Sequence, residues 1–188
     1  VLGEGEDEGK LVAMNAPHPL PLPHWERGTT QTISAISDIP HTSPHELRNK
    51  LPAILIGILR GAEISTIIQA LQNAPQLKHR LQLVKTINDV SYINDSAATM
   101  PDATIAAITT YSNKPLILIL GGSDKALEFE ELAQVIASHK NIWHIVWLPG
   151  TATQKMKSSI VPLTKASHHA APTMNDAVQI AHSLTKQG

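Results

Sequence analysis

Residues 114–125 read KPLILILGGSDK, and this stretch decides the fold class. Five consecutive aliphatic residues, Leu116 to Leu120, are followed at once by two glycines and, shortly after, by a lysine. A short unbroken apolar run is typical of a parallel strand that helices cover on both faces. The paired glycines indicate a turn in which the backbone can approach a ligand closely. We therefore expect an interior strand of a parallel sheet, ending in a loop that carries Lys125.

The sequence on both sides of this strand alternates between helical and strand periods. The predicted helices cover residues 47–59, 64–71, 101–111, 128–138, 151–159 and 175–186. The predicted strands cover residues 81–87, 90–93, 116–120, 142–148 and 165–167. Gly61 is expected to end the first helix, and Thr99 to cap the helix that starts at Pro101. Such alternation predicts an α/β fold, a three-layer Rossmann-like and mostly parallel sheet with helices on both faces.

The first part of the chain differs in composition. It carries acidic residues over 4–8 and prolines at every second position from Pro17 to Pro23. Alternating proline prevents a helix and cannot donate to a sheet ladder. Residues 1–42 are therefore predicted to form a disordered or extended tail, without regular structure over 1–28 and with one short strand over 29–39. Residues 43–188 form the predicted domain, which ends on a helix where an alternating fold leads us to expect a further strand.

The composition excludes several classes of function. Lysine plus arginine total 15 and aspartate plus glutamate total 16, so the net charge of −1 gives no electrostatic reason to expect nucleic-acid or membrane binding. The absence of cysteine rules out disulfides and thiolate metal sites. The longest apolar runs fall far short of the ~20 residues that span a bilayer. We expect a soluble chain located in the cytoplasm.

Three polar segments could carry chemistry. The first, NDSAATMP over residues 94–101, lies where a predicted strand ends and a helix begins, which is where parallel sheets bind carboxylates and phosphates. The second holds Lys125, a point charge, and the third holds Arg80, whose planar guanidinium suits phosphate. Each also has a purely structural interpretation, as a capped turn, a solvated lysine or a surface ion pair.

The ten histidines do not predict a metal site. His168 and His169 form the densest cluster, but adjacent residues of a strand point to opposite faces and rarely share an ion. The sequence contains neither zinc-binding spacings nor the GxxxxGK[ST] pattern of a phosphate-binding loop. A GxSxG nucleophile segment is also absent. We therefore predict no metal ligand and no catalytic residue in this chain.

Taken together, these segments resemble the C-terminal domain of the Mur ligases. The resemblance is carried by His79-Arg80, by INDSxATxP over residues 93–101 and by GGxxK over residues 121–125. Residues 43–49, SPHELRN, resemble the family's Gly-x-His-Asn-x-x-Asn segment, so the likeness covers about residues 43–188. The Asn94-Asp95-Ser96 segment resembles the branch that adds D-glutamate to UDP-N-acetylmuramoyl-L-alanine, because sister enzymes carry Asp-Tyr-Ala-His or Asp-Asn-Ala types there.

This resemblance implies a fragment of an ATP-dependent ligase of peptidoglycan precursor synthesis. ATP and magnesium would be its cofactors, with the magnesium ligands in a separate domain, and D-glutamate and UDP-N-acetylmuramoyl-L-alanine its substrates. In the family, ATP phosphorylates a carboxylate, and the amine of the incoming amino acid then attacks the acyl phosphate. By resemblance, the nucleotide would be bound by Arg80, Asp95 and Asn49. The amino acid would be bound by Thr99, Lys125 and Ser96.

Three departures from the family pattern leave a second interpretation open. Ala97 stands where many members carry a lysine that contacts the phosphate end of the site. Ser43 replaces a glycine, and Glu46 replaces an asparagine used near the adenine. With no phosphate-binding loop in the chain, these changes predict that it is inactive alone. The alternative is a non-catalytic, degenerate Rossmann-like domain that binds a partner or has lost its function.

Overall fold

A computed structural model describes residues 2–4, 10–14, 30–35, 39 and 44–185. The chain divides into two compact units, Val1–Pro75 and Gln76–Gly188. Among the described residues, no helix is both long and apolar enough to cross a bilayer.

The first unit begins with a small antiparallel sheet. Its strands β1 (Leu2–Glu4), β2 (Lys10–Met14) and β3 (Thr30–Ala35) pair in that order. Strand β3 confirms the strand predicted over 29–39. Strands β1 and β2 correct the expectation that residues 1–28 hold no regular structure, because the apolar β2 sequence KLVAM can form a strand despite the acidic residues before it. The alternating prolines of residues 17–23 lie outside the described residues.

Two helices complete the first unit, α1 (Pro44–Leu59) and α2 (Ile64–Gln72). They confirm the predicted pair and bury Leu47, Ile54 and Ile67 together. Gly61 follows α1 with a φ of 79°, and its N–H donates to the carbonyl of Ile58 at 2.9 Å. A positive φ after the last helical turn favours glycine, so the predicted helix end is confirmed.

The second unit opens with a β-hairpin of strands β4 (Gln82–Ile87) and β5 (Val90–Asn94), which form a separate two-stranded sheet. Asn88 and Asp89 connect the strands with φ angles of 48° and 63°. Two central residues with positive φ match the twist of hairpin strands, and asparagine and aspartate tolerate that conformation best after glycine. The predicted strand pair and its turn are confirmed.

A parallel sheet forms the centre of the second unit. Its strands are β6 (Leu116–Leu120), β7 (Ile142–Trp147) and β8 (Ser167–Ala170), in that order. The helices between and after the hairpin and these strands are α3 (Pro101–Thr110), α4 (Glu130–Ser138), α5 (Thr153–Ile160) and α6 (Met174–Leu184). This order of elements confirms the predicted alternation, with β8 beginning two residues later than expected.

Alternate residues of β7 point into two separate cores. Ile145 and Trp147 pack with residues of α3, α4 and α5 on one face of the sheet. Val146 packs with Ala177 of α6 on the other face. Helices on both sides of a parallel sheet make three layers, so the predicted α/β class is confirmed.

Strand β6 does not lie where the sequence predicted. It forms an edge of the parallel sheet, pairing with β7 alone among the described residues, and all five of its side chains are half-buried. Leu118 and Leu120 pack on one core, whereas Ile117 and Ile119 pack on the other. The aliphatic run therefore reflects helices over both faces of the strand and does not require a central position.

Candidate functional site

The hairpin brings the segment of Arg80 beside that of Asp95. Arg80 precedes β4 and Asp95 follows β5, and the antiparallel pairing of Gln82 with Asn94 places those two ends side by side. The N–H of Leu81 donates to Oδ1 of Asp95 at 2.9 Å. The N–H of Ala97 donates to the carbonyl of His79 at 3.0 Å. The segments of two residues predicted to bind nucleotide are thus hydrogen-bonded to each other.

Asn94 organises the turn that follows β5. Its Oδ1 accepts the N–H of Ser96 at 3.0 Å, and its Nδ2 lies 3.0 Å from Nδ1 of His79. Because an amide nitrogen can only donate, Nδ1 of His79 accepts, which places the proton of a neutral ring on Nε2. The sequence analysis assigned no role to Asn94 or His79, although an asparagine at a strand end is a common source of such turns.

The predicted cap of helix α3 is wrong. Its N-cap residue is Met100, with extended backbone angles of φ −127° and ψ 147°, and no side chain caps the helix. The residue before a proline is pushed out of the helical region, so Pro101 fixes the cap at Met100 rather than at Thr99. Thr99 is exposed, and its N–H donates to the carbonyl of Ala97 at 3.0 Å. The first N–H groups of α3 are left without a side-chain acceptor, as an anion site requires.

A second loop, residues 121–125, carries Lys125 beyond the end of β6. Gly122 has a φ of 144°, which side-chain-bearing residues rarely adopt. Gly150 packs directly on it, since a Cβ at Gly150 would lie 2.2 Å from the oxygen of Gly122. Asp124 donates its N–H to Oγ1 of Thr151 at 2.7 Å. The loop of Lys125 is therefore fixed by the loop that follows β7.

Gly150 and Thr151 are site residues that the sequence analysis missed. They follow Pro149 just after β7, in a turn at the carboxyl end of the strand that neighbours β6. The available signal was the rule that the ends of parallel strands meet at one edge of a sheet. Which turn contacts which is a tertiary property that the spacing of motifs along the chain does not show.

Lys155 binds the chain just after the Lys125 loop. Its Nζ lies 2.7 Å from the carbonyl of Leu127 and 3.0 Å from Oε1 of Glu128. The hydrogen bond with Glu128 raises the pKa of Lys155 above the ordinary lysine value, and burial opposes that rise only in part. Lys155 is thus already paired, whereas neither Lys125 nor Arg80 makes a side-chain hydrogen bond or ion pair within residues 44–185. Two exposed cations remain available to an anionic ligand.

The predicted residues fall into separate groups. Arg80, Asp95 and Ser96 belong to the hydrogen-bonded turn described above, with Ser96 exposed. Within residues 44–185, no hydrogen bond or ion pair connects that turn to the Lys125 loop. Asn49 lies on α1 of the first unit, where it is exposed. A shared site for Thr99 and Lys125, and a nucleotide role for Asn49, therefore remain predictions.

The charge of Asp95 reaches the end of α3. The pKa of Tyr111 is raised above its usual value by burial of the phenol and, secondarily, by the negative charge of Asp95. Both causes disfavour a phenolate. Tyr111 is half-buried, and its hydroxyl is thus kept neutral.

The histidines of the parallel sheet lie on opposite faces, as predicted for adjacent strand residues. The ring of His168 stacks on Trp147 at a centroid distance of 5.9 Å, and Nε2 of His169 lies 3.2 Å from Nδ1 of His144. Burial, followed by neighbouring positive charge, lowers the pKa of both His144 and His168. In the part of the chain that the structure describes, no three histidine or acidic side chains are grouped to hold a metal ion.

Comparison with known proteins gives relatives that are named as D-glutamate or L-glutamate ligases. A UDP-N-acetylmuramoylalanine–D-glutamate ligase from Roseiflexus sp. (strain RS-1) is 37% identical over 134 residues, which are 71% of this chain and 28% of that protein. One from Caldicellulosiruptor bescii is 32% identical over 161 residues, 86% of this chain and 34% of that protein. A UDP-N-acetylmuramoyl-L-alanine–L-glutamate ligase from Xanthomonas axonopodis pv. citri is 31% identical over 163 residues, 84% of this chain and 34% of that protein. The chain thus spans about a third of these relatives' length, or less.

Solved structures support the same fold. A crystal structure of MurF from Acinetobacter baumannii aligns with 84% of this chain and 34% of its own, with a TM-score of 0.62 and 18% identity. That of the UDP-N-acetylmuramate-alanine ligase MurC from Thermotoga maritima aligns with 96% of this chain and 44% of its own, with a TM-score of 0.53 and 12% identity. At such identities the likeness concerns the fold alone. Residues 79–188, however, match the family model described as "Mur ligase, glutamate ligase domain", and the chain therefore belongs to the Mur ligase family.

Proposed function

We propose that this chain supplies the amino-acid site and part of the nucleotide site of an ATP-dependent ligase that joins D-glutamate to UDP-N-acetylmuramoyl-L-alanine. One observation carries the proposal. Two exposed cations, Arg80 and Lys125, stand on loops whose backbones are fixed by hydrogen bonds and close glycine packing. Cations on fixed loops that form no ion pair within residues 44–185 suit phosphate and carboxylate groups, because no carboxylate of these residues competes for them. The named relatives share this chemistry of phosphate and carboxylate.

Each residue then has a distinct task. The guanidinium of Arg80 binds phosphate oxygens of the nucleotide. Asp95 uses Oδ1 for the N–H of Leu81, which leaves its second oxygen to accept a ribose hydroxyl. Lys125, with the hydroxyl of Thr99 and the uncapped first turn of α3, binds the carboxylates of glutamate, and Ser96 adds a hydroxyl beside them.

ATP would supply the phosphoryl group that activates the acceptor carboxylate. This chain would orient the nucleotide and the amino acid. Holding the amino acid and the nucleotide in place converts an encounter of free molecules into a reaction within one complex. We assign no magnesium ligand here, since the described residues contain no group of acidic or histidine side chains that could hold an ion. We propose a cytoplasmic location on the strength of the named relatives' nucleotide-linked substrates.

The stereochemistry of the glutamate has a second candidate. The Xanthomonas relative, named as an L-glutamate ligase, is 31% identical over 84% of this chain. Both isomers present the same two carboxylates and differ in the direction of the amine, so Lys125 by itself would bind either one. The choice of D-glutamate comes from the Asn94-Asp95-Ser96 segment and remains a proposal.

A binding experiment on the 188-residue chain tests the assignment. D-glutamate, L-glutamate and ADP are titrated separately while backbone amide shifts are followed by NMR. We expect D-glutamate to shift Lys125 and Thr99, and ADP to shift Arg80 and Asp95. Lys125→Ala should abolish the glutamate shifts, whereas Lys140→Ala, at another exposed lysine, should leave them unchanged.

Catalysis by the isolated chain is not expected. Activating a carboxylate with ATP needs a loop of backbone N–H groups around the phosphates, and this sequence contains no such pattern. With D-glutamate, UDP-N-acetylmuramoyl-L-alanine, ATP and magnesium supplied, phosphate release should stay at background. Turnover that depends on the substrates would contradict the assignment of a partial site. Absence of any glutamate or ADP shift would instead favour the non-catalytic alternative that Ala97 suggests.

A further inference from the structure

Arg80 sits between two strained residues. His79 has a φ of 64° and Leu81 has a φ of 43°, in the left-handed region that residues with a Cβ rarely occupy. Leucine is poorly suited to this conformation, since it has no polar side chain to form a local hydrogen bond. Such strain persists only where surrounding contacts determine the backbone, and it is concentrated at functional positions. The contacts that hold the tripeptide of residues 79–81 in this conformation therefore bear on the function of Arg80.

Four hydrogen bonds hold the two strained residues. The N–H of His79 donates to Oε1 of Gln82 at 2.9 Å, and its carbonyl accepts the N–H of Ala97 at 3.0 Å. The N–H of Leu81 donates to Oδ1 of Asp95 at 2.9 Å, and its carbonyl accepts Nε2 of Gln76 at 3.2 Å. The N–H and the carbonyl of both His79 and Leu81 thus form hydrogen bonds with groups outside the tripeptide.

Asp95 is the only charged side chain among these partners. A carboxylate accepts hydrogen bonds more strongly than a neutral group, and Asp95 is half-buried, so we expect its bond to Leu81 to be the strongest of the four. Asp95 forms no ion pair with Arg80 among the described residues. A carboxylate bound to the guanidinium would compete with phosphate, whereas one bound to the neighbouring N–H leaves the guanidinium free.

We propose that Asp95 is a positioning residue for Arg80, which it acts on through the N–H of Leu81. The carboxylate holds Leu81 in its left-handed conformation, and Leu81 fixes the direction in which the guanidinium is presented to the phosphates of the nucleotide. This inference rests on the proposed function for the identity of the ligand. The clamp itself, the bond from Leu81 to Asp95, can be measured without any ligand.

The clamp is tested first by amide hydrogen exchange of the 188-residue chain. Asp95→Ala removes the acceptor, so the Leu81 amide should exchange about tenfold faster or more, as expected for loss of a hydrogen bond to a charged group. Asp95→Asn keeps an acceptor oxygen and should retain most of the protection. Asp102→Ala, at an exposed carboxylate in the first turn of α3, should leave Leu81 unchanged. Equal exchange in Asp95→Ala and the unaltered chain would overturn the clamp.

The positioning role is tested with tripolyphosphate, which has phosphates but no ribose. Simple electrostatics predicts that Asp95→Ala binds this anion more tightly, because a negative charge has been removed. The clamp predicts the opposite sign, with binding weakened severalfold and largely recovered in Asp95→Asn. Arg80→Ala should weaken binding about fivefold, as expected at most for an exposed ion pair, and adding Asp95→Ala to it should cause no further loss.

Different results would overturn the clamp and the positioning role. Tighter binding by Asp95→Ala, or losses that add in the double variant, would overturn the positioning role even if the Leu81 amide is protected. If the unaltered chain binds neither tripolyphosphate nor ADP, the nucleotide role of Arg80 is wrong and the positioning role with it. The exchange data would in that case still decide whether the clamp exists as a structural element.

Discussion

The contact between Gly150 and Gly122 gives the sharpest prediction. A Cβ built on Gly150 would lie 2.2 Å from the oxygen, 2.7 Å from the nitrogen and 2.8 Å from the carbonyl carbon of Gly122. All three are backbone atoms, so none can rotate aside as a side chain would. Gly122 is itself at a φ of 144°, and its oxygen accepts the N–H of Ala152 at 3.1 Å. Gly150→Ala must therefore move the turn that leads to Lys125.

The magnitude follows from this geometry. Relieving the overlap requires a backbone shift of about 1 Å, since non-bonded heavy atoms approach to about 3.5 Å. Forcing an extra methyl into a packed site costs about 1–3 kcal/mol, and losing the hydrogen bond from Ala152 adds about 1 kcal/mol. We expect Gly150→Ala to lower the free energy of unfolding by about 3 kcal/mol and Tm by about 10 °C.

Urea unfolding followed by far-UV circular dichroism measures the loss in either unit, and the fluorescence of Trp143 and Trp147 on β7 follows the second unit. Gly57→Ala serves as the matched control. Its Cβ would lie 2.8 Å from Cδ1 of Ile67, the movable end of a side chain, and alanine gains about 1 kcal/mol of helix propensity over glycine. Its stability should therefore change little. If Gly150→Ala were as stable as the control, the close packing of the two turns would be refuted.

Three further predictions concern charge and capping. Because the pKa of His144 and of His168 is lowered in the folded state, the unfolded chain binds protons more readily below about pH 6.5. Stability should therefore fall from pH 7 to pH 5, and His144→Gln or His168→Gln should flatten that slope in Tm measured against pH. Oγ1 of Thr173 accepts the N–H of Asp176 at the start of α6, so Thr173→Ala should cost about 1 kcal/mol in urea unfolding. Ala97→Lys should tighten ADP binding about threefold, by calorimetry at low salt, with the gain lost at high salt.

The elements of the second unit could be predicted because each has a local cause. The aliphatic run of β6 and the hairpin turn at Asn88-Asp89 follow from periodicity and turn chemistry alone. The order of strands does not, because a strand covered on both faces has the same sequence at an edge as at the centre. Predicting Thr99 as the cap failed for a local reason too. The sequence rule favours a threonine oxygen, but the steric demand of Pro101 on Met100 prevails.

The candidate binding residues and the residues that fix their loops differ in how readily the sequence predicts them. Arg80 and Lys125 could be proposed because they lie in segments that resemble Mur ligase motifs. Gly150 and Thr151 could not, because their importance lies in meeting a loop more than 25 residues earlier in the chain. The role of Asp95 could likewise be predicted only in part from the sequence. Its place in the motif suggested a ligand, whereas the structure shows a hydrogen bond to the backbone beside Arg80.

The exposure of Arg80 and Lys125 also limits how tightly the chain alone can bind a ligand. The holding contacts are backbone hydrogen bonds and glycine packing, which fix the backbones of the loops that carry Arg80 and Lys125 but leave both side chains exposed. An exposed ion pair contributes about 0–1 kcal/mol, because water competes for both partners. Two such contacts contribute about 2 kcal/mol at most, which is less than the roughly 4 kcal/mol that millimolar affinity requires. Discrimination between D- and L-glutamate needs more, since the two isomers carry the same charges and differ only in the direction of the α-amine. Exclusion of water by a second surface would strengthen both contacts, because charges interact more strongly in a medium of low dielectric constant.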